Sequence, residues 1–209
     1  MITLVDYKAG NLTSVRRALD HLGIPSRISA DPELVRRSEK IIFPGVGAAG
    51  AAMNVLRERG LDAALKDVYA KGTPILGICI GCQIILEHSE EDDAACLGLL
   101  SGKTVRFPVV GATRRVAPTI KIPHMGWNAV TVTQPHPLLA HLRPGDEFYF
   151  VHSYYPQPAD PGQTYATCDY GGEFPVAIGK DNLFAVQFHT EKSGALGLRV
   201  LENFSKWKI

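Results

Sequence analysis

A cysteine between two glycines is the residue of this chain best suited to nucleophilic chemistry. Cys79 stands in the segment Pro74-Ile75-Leu76-Gly77-Ile78-Cys79-Ile80-Gly81-Cys82-Gln83, where an apolar run ends in Gly-x-Cys-x-Gly, and a helix is expected over 83–88. A strand, a sharp turn with small neighbours and a helix are typical of a nucleophile elbow, here with a thiol in place of a serine hydroxyl. The N-terminus of the helix would favour a thiolate and offer N–H groups to an oxyanion.

The same segment allows three other interpretations. Cys79 and Cys82 have the Cys-x-x-Cys spacing of a redox pair, and they could equally be two buried core thiols. They could also be half of a metal site, although Cys96 and Cys168 stand alone and supply no second pair. The flanking glycines favour the nucleophile, and no metal site is predicted.

A thiol nucleophile needs a proton acceptor, usually a histidine held by a third group. Of the seven histidines, only His189 combines a position at the end of an apolar strand with a carboxylate two residues later, Glu191. Glu191 would fix the tautomer of His189 and leave its other ring nitrogen facing Cys79. The alternatives are an exposed turn at His189-Thr190-Glu191-Lys192, or a His/Cys metal site, for which the ligand spacing is unconvincing. Because 110 residues separate Cys79 from His189, the pairing depends on the fold.

The first half of the chain alternates between strand-like and helix-like patterns. Expected strands are 2–6, 26–29, 40–43 and 74–79, and expected helices are 11–22, 32–37 and 51–69, the last interrupted near Gly60. This alternation indicates an α/β protein with a central parallel sheet covered by helices on both faces.

The second half is richer in strands. Expected strands are 105–110, 130–133, 147–155, 165–170, 176–180 and 183–189, before a closing helix over 195–207. The interpretation is an antiparallel or mixed extension of the parallel core, and a single domain spanning residues 1–209.

Ligands of an open α/β sheet bind where strands end. The segments 7–11, 44–47 and 79–81 fall at such ends and are expected to converge. Pro44-Gly45-Val46-Gly47 permits close backbone approach, so its N–H groups could complete an oxyanion hole with Ile80, unless it is a plain glycine-rich turn. It lacks the lysine of a phosphate-binding loop.

Composition limits the classes of partner. The formal net charge is +1, so no bulk field favours nucleic acid, and no apolar run is long enough to cross a membrane. No secretory signal peptide is apparent at the N-terminus, and four cysteines do not resemble a disulfide framework. A reducing, cytoplasmic setting is therefore expected.

Together these motifs resemble the class I (triad) glutamine amidotransferases. Gly77-Ile78-Cys79-Ile80-Gly81-x-Gln83 matches the family's nucleophile motif, and Gln187-Phe188-His189-x-Glu191 matches its His/Glu motif. The resemblance runs essentially end to end and is most specific for one branch, the glutaminase subunits of imidazole glycerol phosphate synthases. The segments that carry it are Gly10-Asn11-Leu12, Pro44-Gly45-Val46-Gly47, His124-Met125-Gly126-Trp127-Asn128, Tyr149-Phe150-Val151-His152-Ser153-Tyr154 and Glu191-Lys192-Ser193.

The resemblance implies a flavodoxin-like fold and hydrolysis of glutamine through a Cys79 thioester, with His189 and Glu191 completing the triad and no cofactor. It implies ammonia transfer to a separate (βα)8-barrel cyclase subunit in a heterodimer, for synthesis of imidazole glycerol phosphate and aminoimidazole carboxamide ribonucleotide in histidine biosynthesis. The implied site residues are Val46, Gly47 and Ile80 for the oxyanion, Gly47, Gln83, Glu91, His152, Ser153 and Tyr154 for glutamine, and Asn11, Trp127, Tyr149 and Lys192 for the partner interface and ammonia path.

Two positions depart from the family pattern. Thr190 stands where proline is usual, which would loosen the turn between His189 and Glu191, and Cys82 stands where methionine is common. Three rival functions stay open: a stand-alone γ-glutamyl hydrolase, a catalytically silent regulatory subunit, and a thiol redox protein that uses Cys79 and Cys82. Retention of all three triad residues disfavours the silent subunit.

Overall fold

Alternating strands and helices build the first half of the chain around a parallel sheet. The structure is a computed structural model and describes residues 1–8, 10–108 and 120–209. Buried apolar runs form the strands, and helix ends carry the expected signals: the Asp31 carboxylate accepts the Glu33 N–H (2.9 Å), and Gly60 separates two helices. The elements are β1 (Ile2–Val5), α1 (Leu12–His21), β2 (Ser26–Ser29), α2 (Pro32–Arg36), β3 (Lys40–Gly45), α3 (Ala49–Glu58), α4 (Leu61–Ala70), β4 (Ile75–Cys79) and α5 (Ile80–Gln83).

The second half adds short strands and one long helix. Its elements are β5 (His88–Ser89), β6 (Ala94–Ala95), β7 (Gly102–Arg106), β8 (His124–Ala129), β9 (Thr131–Val132), β10 (Glu147–His152), β11 (Tyr154–Pro158), β12 (Thr164–Asp169), β13 (Glu173–Lys180), β14 (Leu183–Val186) and α6 (Gly194–Lys206). Short 3-10 turns lie at Glu91–Asp93, Pro137–Leu139, Pro161–Gln163 and Thr190–Lys192.

The largest sheet of the described residues is mixed, as the sequence predicts. Its strand order is β2-β1-β3-β4-β14-β13-β12-β9. The strands from β2 to β14 pair in parallel, and those from β14 to β9 pair antiparallel. Two smaller sheets, β10-β8 and β11-β7-β5-β6, flank it. The expected α/β architecture, with a mostly parallel centre and an antiparallel extension, is therefore confirmed.

Two apolar clusters cover the two faces of this sheet. Alternate residues of one strand point to opposite clusters: Ile42 of β3 packs with α1 and α6, whereas Ile41 and Phe43 pack with α3 and α4. Among the described residues, no helix combines the length and hydropathy that a bilayer crossing requires.

Several predicted elements are wrong in extent or type. The helix predicted over 83–88 is instead the single turn Ile80–Gln83, which begins directly after Cys79. The strand predicted over 147–155 is broken at Ser153, where the chain passes from the β10-β8 ribbon to the β11 sheet. The strand His124–Ala129 is absent from the sequence prediction, and residues 109–110 of the strand predicted over 105–110 lie outside the described residues.

Candidate active site

Cys79 occupies a tight turn between a central strand and a short helix. It is the last residue of β4. Its φ of 56° and ψ of −109° form a backbone conformation that is unfavourable for every residue except glycine. The register of β3 against β4 places Gly45 beside it. Cys79 is 5% exposed, so only a small part of the residue faces the adjoining cavity.

The two flanking glycines allow close backbone packing. A Cβ at Gly81 would lie 1.8 Å from the Phe43 carbonyl oxygen, and a Cβ at Gly77 would lie 2.8 Å from the Gly81 carbonyl oxygen. The sequence predicts that these glycines make the turn possible, and the structure supplies the reason. Gly77 and Gly81 leave room for the neighbouring backbone to approach closely, whereas the positive φ of the turn belongs to Cys79 itself.

His189 and Glu191 form a buried pair. His189 follows β14 by three residues, and the short turn at Thr190–Lys192 brings Glu191 back to it. The Nδ1–H of His189 donates to Glu191 Oε1 at 2.7 Å, and both side chains are fully buried. This burial contradicts the alternative of an exposed turn. The backbone also fixes the ring, because the His189 N–H donates to the Tyr149 carbonyl at 3.0 Å.

The other ring nitrogen of His189, Nε2, is buried, and in the described part of the chain it has no hydrogen-bond partner of standard geometry. Burial alone would lower the pKa of His189, but hydrogen bonds to the Cys79 sulfur and the Glu191 carboxylate outweigh it and raise this pKa from 6.5 to about 10. Burial likewise opposes ionisation of Glu191, yet hydrogen bonds from His189 and Asn11 lower its pKa below 4.5. The electrostatics therefore favour a His189 imidazolium paired with the Glu191 carboxylate, beside the Cys79 sulfur.

The free energy of unfolding should depend on pH because of this imidazolium. Because folding raises the pKa of His189 from 6.5 to about 10, its contribution is complete below pH 6.5 and is lost as the pH rises towards 10. The free energy of unfolding of the wild type relative to His189→Ala should therefore shrink steadily across that window in urea titrations. A difference that is constant from pH 6.5 to 10 would contradict the raised pKa.

Asn11 supports the pair from behind. Its side-chain amide donates to Glu191 Oε1, the same oxygen that accepts from His189, and its Nδ2 lies 3.4 Å from His189 Nδ1. Asn11 occupies the N-cap position of α1 at φ 65°, yet its side chain makes no capping hydrogen bond. The contact with Glu191 therefore replaces the usual capping contact. The resemblance places Asn11 at the partner interface, and the sequence gives no sign of its contact with Glu191.

A cavity of about 170 Å³ opens beside the Cys79 thiol. This is smaller than the roughly 300–1,000 Å³ of a drug-sized pocket and suits one small polar molecule. Its lining includes the nucleophile and every oxyanion and glutamine-pocket residue predicted from the sequence except Glu91, and it adds Val151, which the sequence does not predict. The lining residues are Val46, Gly47, Cys79, Ile80, Gln83, Val151, His152, Ser153 and Tyr154.

Glu91 lies outside the lining of this cavity. Its carboxylate accepts the Ala49 N–H at 2.8 Å, at the start of α3. Burial is the main reason why its pKa is raised, and the neighbouring Asp92 adds to the effect. Glu91 therefore anchors the N-terminus of α3, and its contact with glutamine stays a prediction.

A network of amides stabilises the floor of the cavity. Gln83 Nε2 donates to the Tyr154 carbonyl (2.8 Å) and to Gln187 Oε1 (3.0 Å). Gln187 Nε2 in turn lies 3.9 Å from the Cys79 sulfur. In the sequence Gln187 is only one letter of the His/Glu motif, and its place in this network becomes clear once β14 pairs with β4.

Tyr7 is a further neighbour that the sequence does not reveal. It is 1% exposed, and its hydroxyl finds no hydrogen-bond partner among the described residues. Burial raises its pKa, and the nearby Cys79 raises it further. A tyrosine after a first strand carries no pattern that would distinguish it from an ordinary core residue.

Three of the predicted interface residues form one exposed surface beside His189. Trp127 is 53% exposed, as an interface residue would be and a core tryptophan would not, and its ring centre lies 6.1 Å from that of Tyr149. The Lys192 ammonium stands 5.6 Å from the centre of the Tyr149 ring. We call Trp127, Tyr149 and Lys192 the aromatic surface; its role as an interface stays a prediction.

The structure disfavours the redox interpretation. Cys82 is fully buried, and burial raises its pKa well above 9.0, the opposite of what a reactive redox cysteine requires. In the portions of the chain that the structure describes, no group of three or more His, Cys, Asp or Glu residues is arranged to hold a metal ion.

Comparison with known proteins agrees with this geometry. The family described as "Glutamine amidotransferase class-I" matches residues 3–207. The subunit HisH of imidazole glycerol phosphate synthase from Nitratidesulfovibrio vulgaris is 52% identical over 99% of this chain and 96% of its own length. The HisH subunit of Acinetobacter baylyi is 44% identical over 100% of this chain and 98% of its own length.

Solved structures share the fold at much lower identity. PurLQS from Thermotoga maritima superimposes with a TM-score of 0.73 at 18% identity, over 97% of this chain and 96% of the matched chain. The glutaminase domain of CTPS from Trypanosoma brucei gives a TM-score of 0.66 at 15% identity, over 100% of this chain and 94% of the matched chain. The fold, the elbow and the full-length similarity lead to one conclusion: the chain belongs to the class I glutamine amidotransferases and, within them, to the HisH subunits of imidazole glycerol phosphate synthase.

Proposed function

We propose that this chain hydrolyses glutamine to glutamate and ammonia as the glutaminase subunit of an imidazole glycerol phosphate synthase. The observation that carries the proposal is the convergence of Cys79 with the buried His189–Glu191 pair at the ends of neighbouring parallel strands, beside a cavity for one small molecule. The full-length similarity to HisH subunits supports the choice of glutamine as substrate.

The first half of the reaction forms a thioester. The Cys79 thiolate attacks the carboxamide carbon of glutamine, and the carbonyl electrons move onto oxygen. Backbone N–H groups of Ile80 and of Val46 or Gly47, which line the same cavity, stabilise this oxyanion. The His189 imidazolium gives its proton to the amide nitrogen as the C–N bond breaks, and ammonia leaves.

The second half returns the enzyme to its starting state. His189, now neutral, accepts a proton from water, which attacks the thioester carbon. The carbon–sulfur bond breaks, glutamate is released and the Cys79 thiolate re-forms beside the imidazolium. Glu191 orients the ring in both halves through its 2.7 Å hydrogen bond to Nδ1. Glutamine and water are consumed, and glutamate and ammonia are the only products.

Ammonia is proposed to pass to a cyclase subunit of (βα)8-barrel fold in a heterodimer, which uses it to make imidazole glycerol phosphate in histidine biosynthesis. Support comes from the subunit status of the HisH relatives and from the exposed aromatic surface. Tyr149 of that surface accepts the His189 N–H through its carbonyl. A partner bound there would therefore contact a residue that is hydrogen-bonded to His189, the group that protonates the departing ammonia.

We also propose the cytoplasm as the compartment of this activity. All four cysteines are free thiols. A reducing compartment would keep Cys79 available as a nucleophile.

The proposal is tested by glutamate release from glutamine. The purified chain is assayed alone and with a cyclase subunit plus its nucleotide ligand, with Cys79→Ala as the blank. The expected result is turnover that the partner stimulates and that the blank lacks. Partner-independent turnover would favour a stand-alone hydrolase, and absence of turnover in both conditions would favour a silent regulatory subunit.

Replacing Asn11 with alanine is expected to lower the kcat for glutamine about tenfold. The change removes one charge-assisted hydrogen bond to Glu191, worth about 1.5–3 kcal/mol, of which only part is realised in the transition state. Asn11→Gly is the matched control, because it removes the same amide but accommodates the φ of 65°.

Both Asn11 variants should lose the same activity while the glycine variant unfolds at a higher temperature. If Asn11→Gly kept wild-type kcat, the loss in Asn11→Ala would come from backbone strain, and the role of the amide would be refuted.

A further inference from the structure

Two buried histidines outside the triad form a hydrogen-bonded chain that ends in the glutamine pocket. His124 Nδ1 lies 3.0 Å from His152 Nε2, and His152 Nδ1 lies 2.8 Å from the Tyr154 carbonyl oxygen. At the far end, Asn128 Nδ2 lies 3.4 Å from His124 Nε2. His124 and His152 are 2% and 6% exposed, so water has little access to either ring.

The chemistry of the last acceptor fixes the direction of every bond. A carbonyl oxygen only accepts, so His152 must carry its proton on Nδ1, which leaves Nε2 as an acceptor. His124 must then donate from Nδ1, and its Nε2 accepts from the Asn128 amide. Burial lowers the pKa of His124 to about 4 and that of His152 to about 3, which agrees with two neutral rings.

The chain ends at the point where a strand is interrupted to form the pocket. β10 ends at His152 and β11 begins at Tyr154, so the bond from the His152 ring to the Tyr154 carbonyl closes a loop around Ser153. The same carbonyl accepts from Gln83 Nε2 at 2.8 Å. His152, Ser153, Tyr154 and Gln83 all line the cavity at Cys79. The position of one carbonyl therefore determines the shape of one wall.

His124 is itself held rigidly. Its ring stacks on Tyr170, with centroids 4.0 Å apart and planes inclined by 22°, and on Phe150 at 4.7 Å and 21°. It pairs with His152 across the β8–β10 ribbon. A phenylalanine side chain could fill the same space without the desolvation cost of a buried imidazole. The benefit of a histidine at position 124 must therefore lie in its hydrogen bond, which fixes the orientation of the His152 ring.

We propose that His124 is a positioning residue for the glutamine pocket, which orients the His152 ring and through it the Ser153–Tyr154 wall. The inference rests on the proposed function, because it gives this wall the task of holding glutamine. His124 lies outside the cavity lining and acts only through His152.

Two substitutions separate hydrogen bonding from packing. His124→Phe keeps the aromatic stack and removes the donor, whereas His124→Asn restores an amide N–H near the position of Nδ1. Glutamine affinity is measured by calorimetry in the Cys79→Ala background, and KM and kcat are measured in the otherwise unsubstituted chain with its partner subunit. His124→Phe should raise Kd and KM about tenfold, the usual value of one hydrogen bond, and leave kcat within about twofold. His124→Asn should recover most of this loss.

Ring 15N spectra of the full chain test the hydrogen-bonded chain without any change at His124. His124 and His152 should both show the Nδ1–H tautomer, and adding glutamine to the Cys79→Ala protein should shift the His152 ring signals. An Nε2–H tautomer at either residue, unchanged His152 signals, or equal losses in His124→Phe and His124→Asn would overturn the inference. Absence of glutamine turnover in the unsubstituted complex would overturn the proposed function, and this inference with it.

Discussion

Replacing Cys79 with glycine is expected to abolish glutamine hydrolysis and yet give a more stable protein than replacing it with alanine. Both variants lack the nucleophile, so each should lose at least about 10⁴-fold in kcat. They differ in the backbone, because Cys79 has φ 56° and ψ −109°, a conformation that glycine adopts freely and alanine does not.

The size of the difference follows from two opposing terms. Strain at such a position is about 1–3 kcal/mol, and the extra conformational entropy of an unfolded glycine costs about 0.5–1 kcal/mol. The free energy of unfolding of Cys79→Gly should therefore be about 1 kcal/mol higher than that of Cys79→Ala. Urea titrations measure this difference, provided that the two variants have equal m-values. Equal stabilities would show that the surrounding structure holds the elbow without strain.

Strain at Cys79 would mean that the rest of the fold holds this residue in an unfavourable backbone conformation so that its thiol faces the cavity. The neighbouring residues are arranged to hold it: Gly77 and Gly81 are in backbone contact range, and β3 and β14 pair with β4 on either side. Relief of this backbone strain by glycine, and not loss of the thiol alone, is then expected to stabilise Cys79→Gly relative to Cys79→Ala, in line with the usual trade-off between active-site geometry and stability.

The layered architecture could be read from the sequence because burial dominates it. Strands buried on both faces appear as continuous apolar runs such as Ile75–Cys79, and the helices between them show apolar residues at helical spacing. Gly60 correctly predicts the break between α3 and α4, because only glycine tolerates its φ of 65° at no cost.

Other elements could not be predicted, for physical reasons that are specific to each. The strand His124–Ala129 contains Gly126, a residue that weakens a strand, and its apolar residues Met125 and Trp127 are exposed rather than buried in the core. The break at Ser153 coincides with a hydrogen bond from the His152 ring to the Tyr154 carbonyl, which the periodicity of the apolar residues does not reveal. The elbow helix is one turn long, and the apolar residues after it belong to a buried connection.

For the candidate site, residue types could be predicted better than contacts. The chemistry of Cys79, His189 and Glu191 and their positions at strand ends were sufficient to predict the triad, whereas their meeting depends on β14 pairing with β4. The role of Asn11 beside Glu191 required coordinates, because the contact spans 180 residues. Glu91, assigned by resemblance, lies outside the cavity lining; its contact with Ala49 comes from the way α3 begins.

Replacing Gly81 with alanine is expected to destabilise the protein more than any other single methyl addition near the elbow. The new Cβ would lie 1.8 Å from the Phe43 carbonyl oxygen, and both groups belong to backbone that cannot rotate away. Either α5 moves off β3 or the sheet deforms, at a cost of about 3–5 kcal/mol. For a chain of this size, that lowers the melting temperature by about 10 °C.

Gly23→Ala is the matched control for Gly81→Ala. A Cβ at Gly23 would meet no atom of the described residues within 4 Å, and the φ of 67° adds only the left-handed penalty of about 1–2 kcal/mol. Thermal unfolding and glutaminase activity should separate the two variants. Gly23→Ala keeps its activity, whereas Gly81→Ala loses activity even below its melting temperature, because the N–H of Ile80 moves with the displaced turn. If both variants melted together and both stayed active, α5 would be free to slide along β3. The close packing at Gly81 would then have no part in aiming the nucleophile, and the geometry of the elbow would have to come from Cys79 and the strand alone.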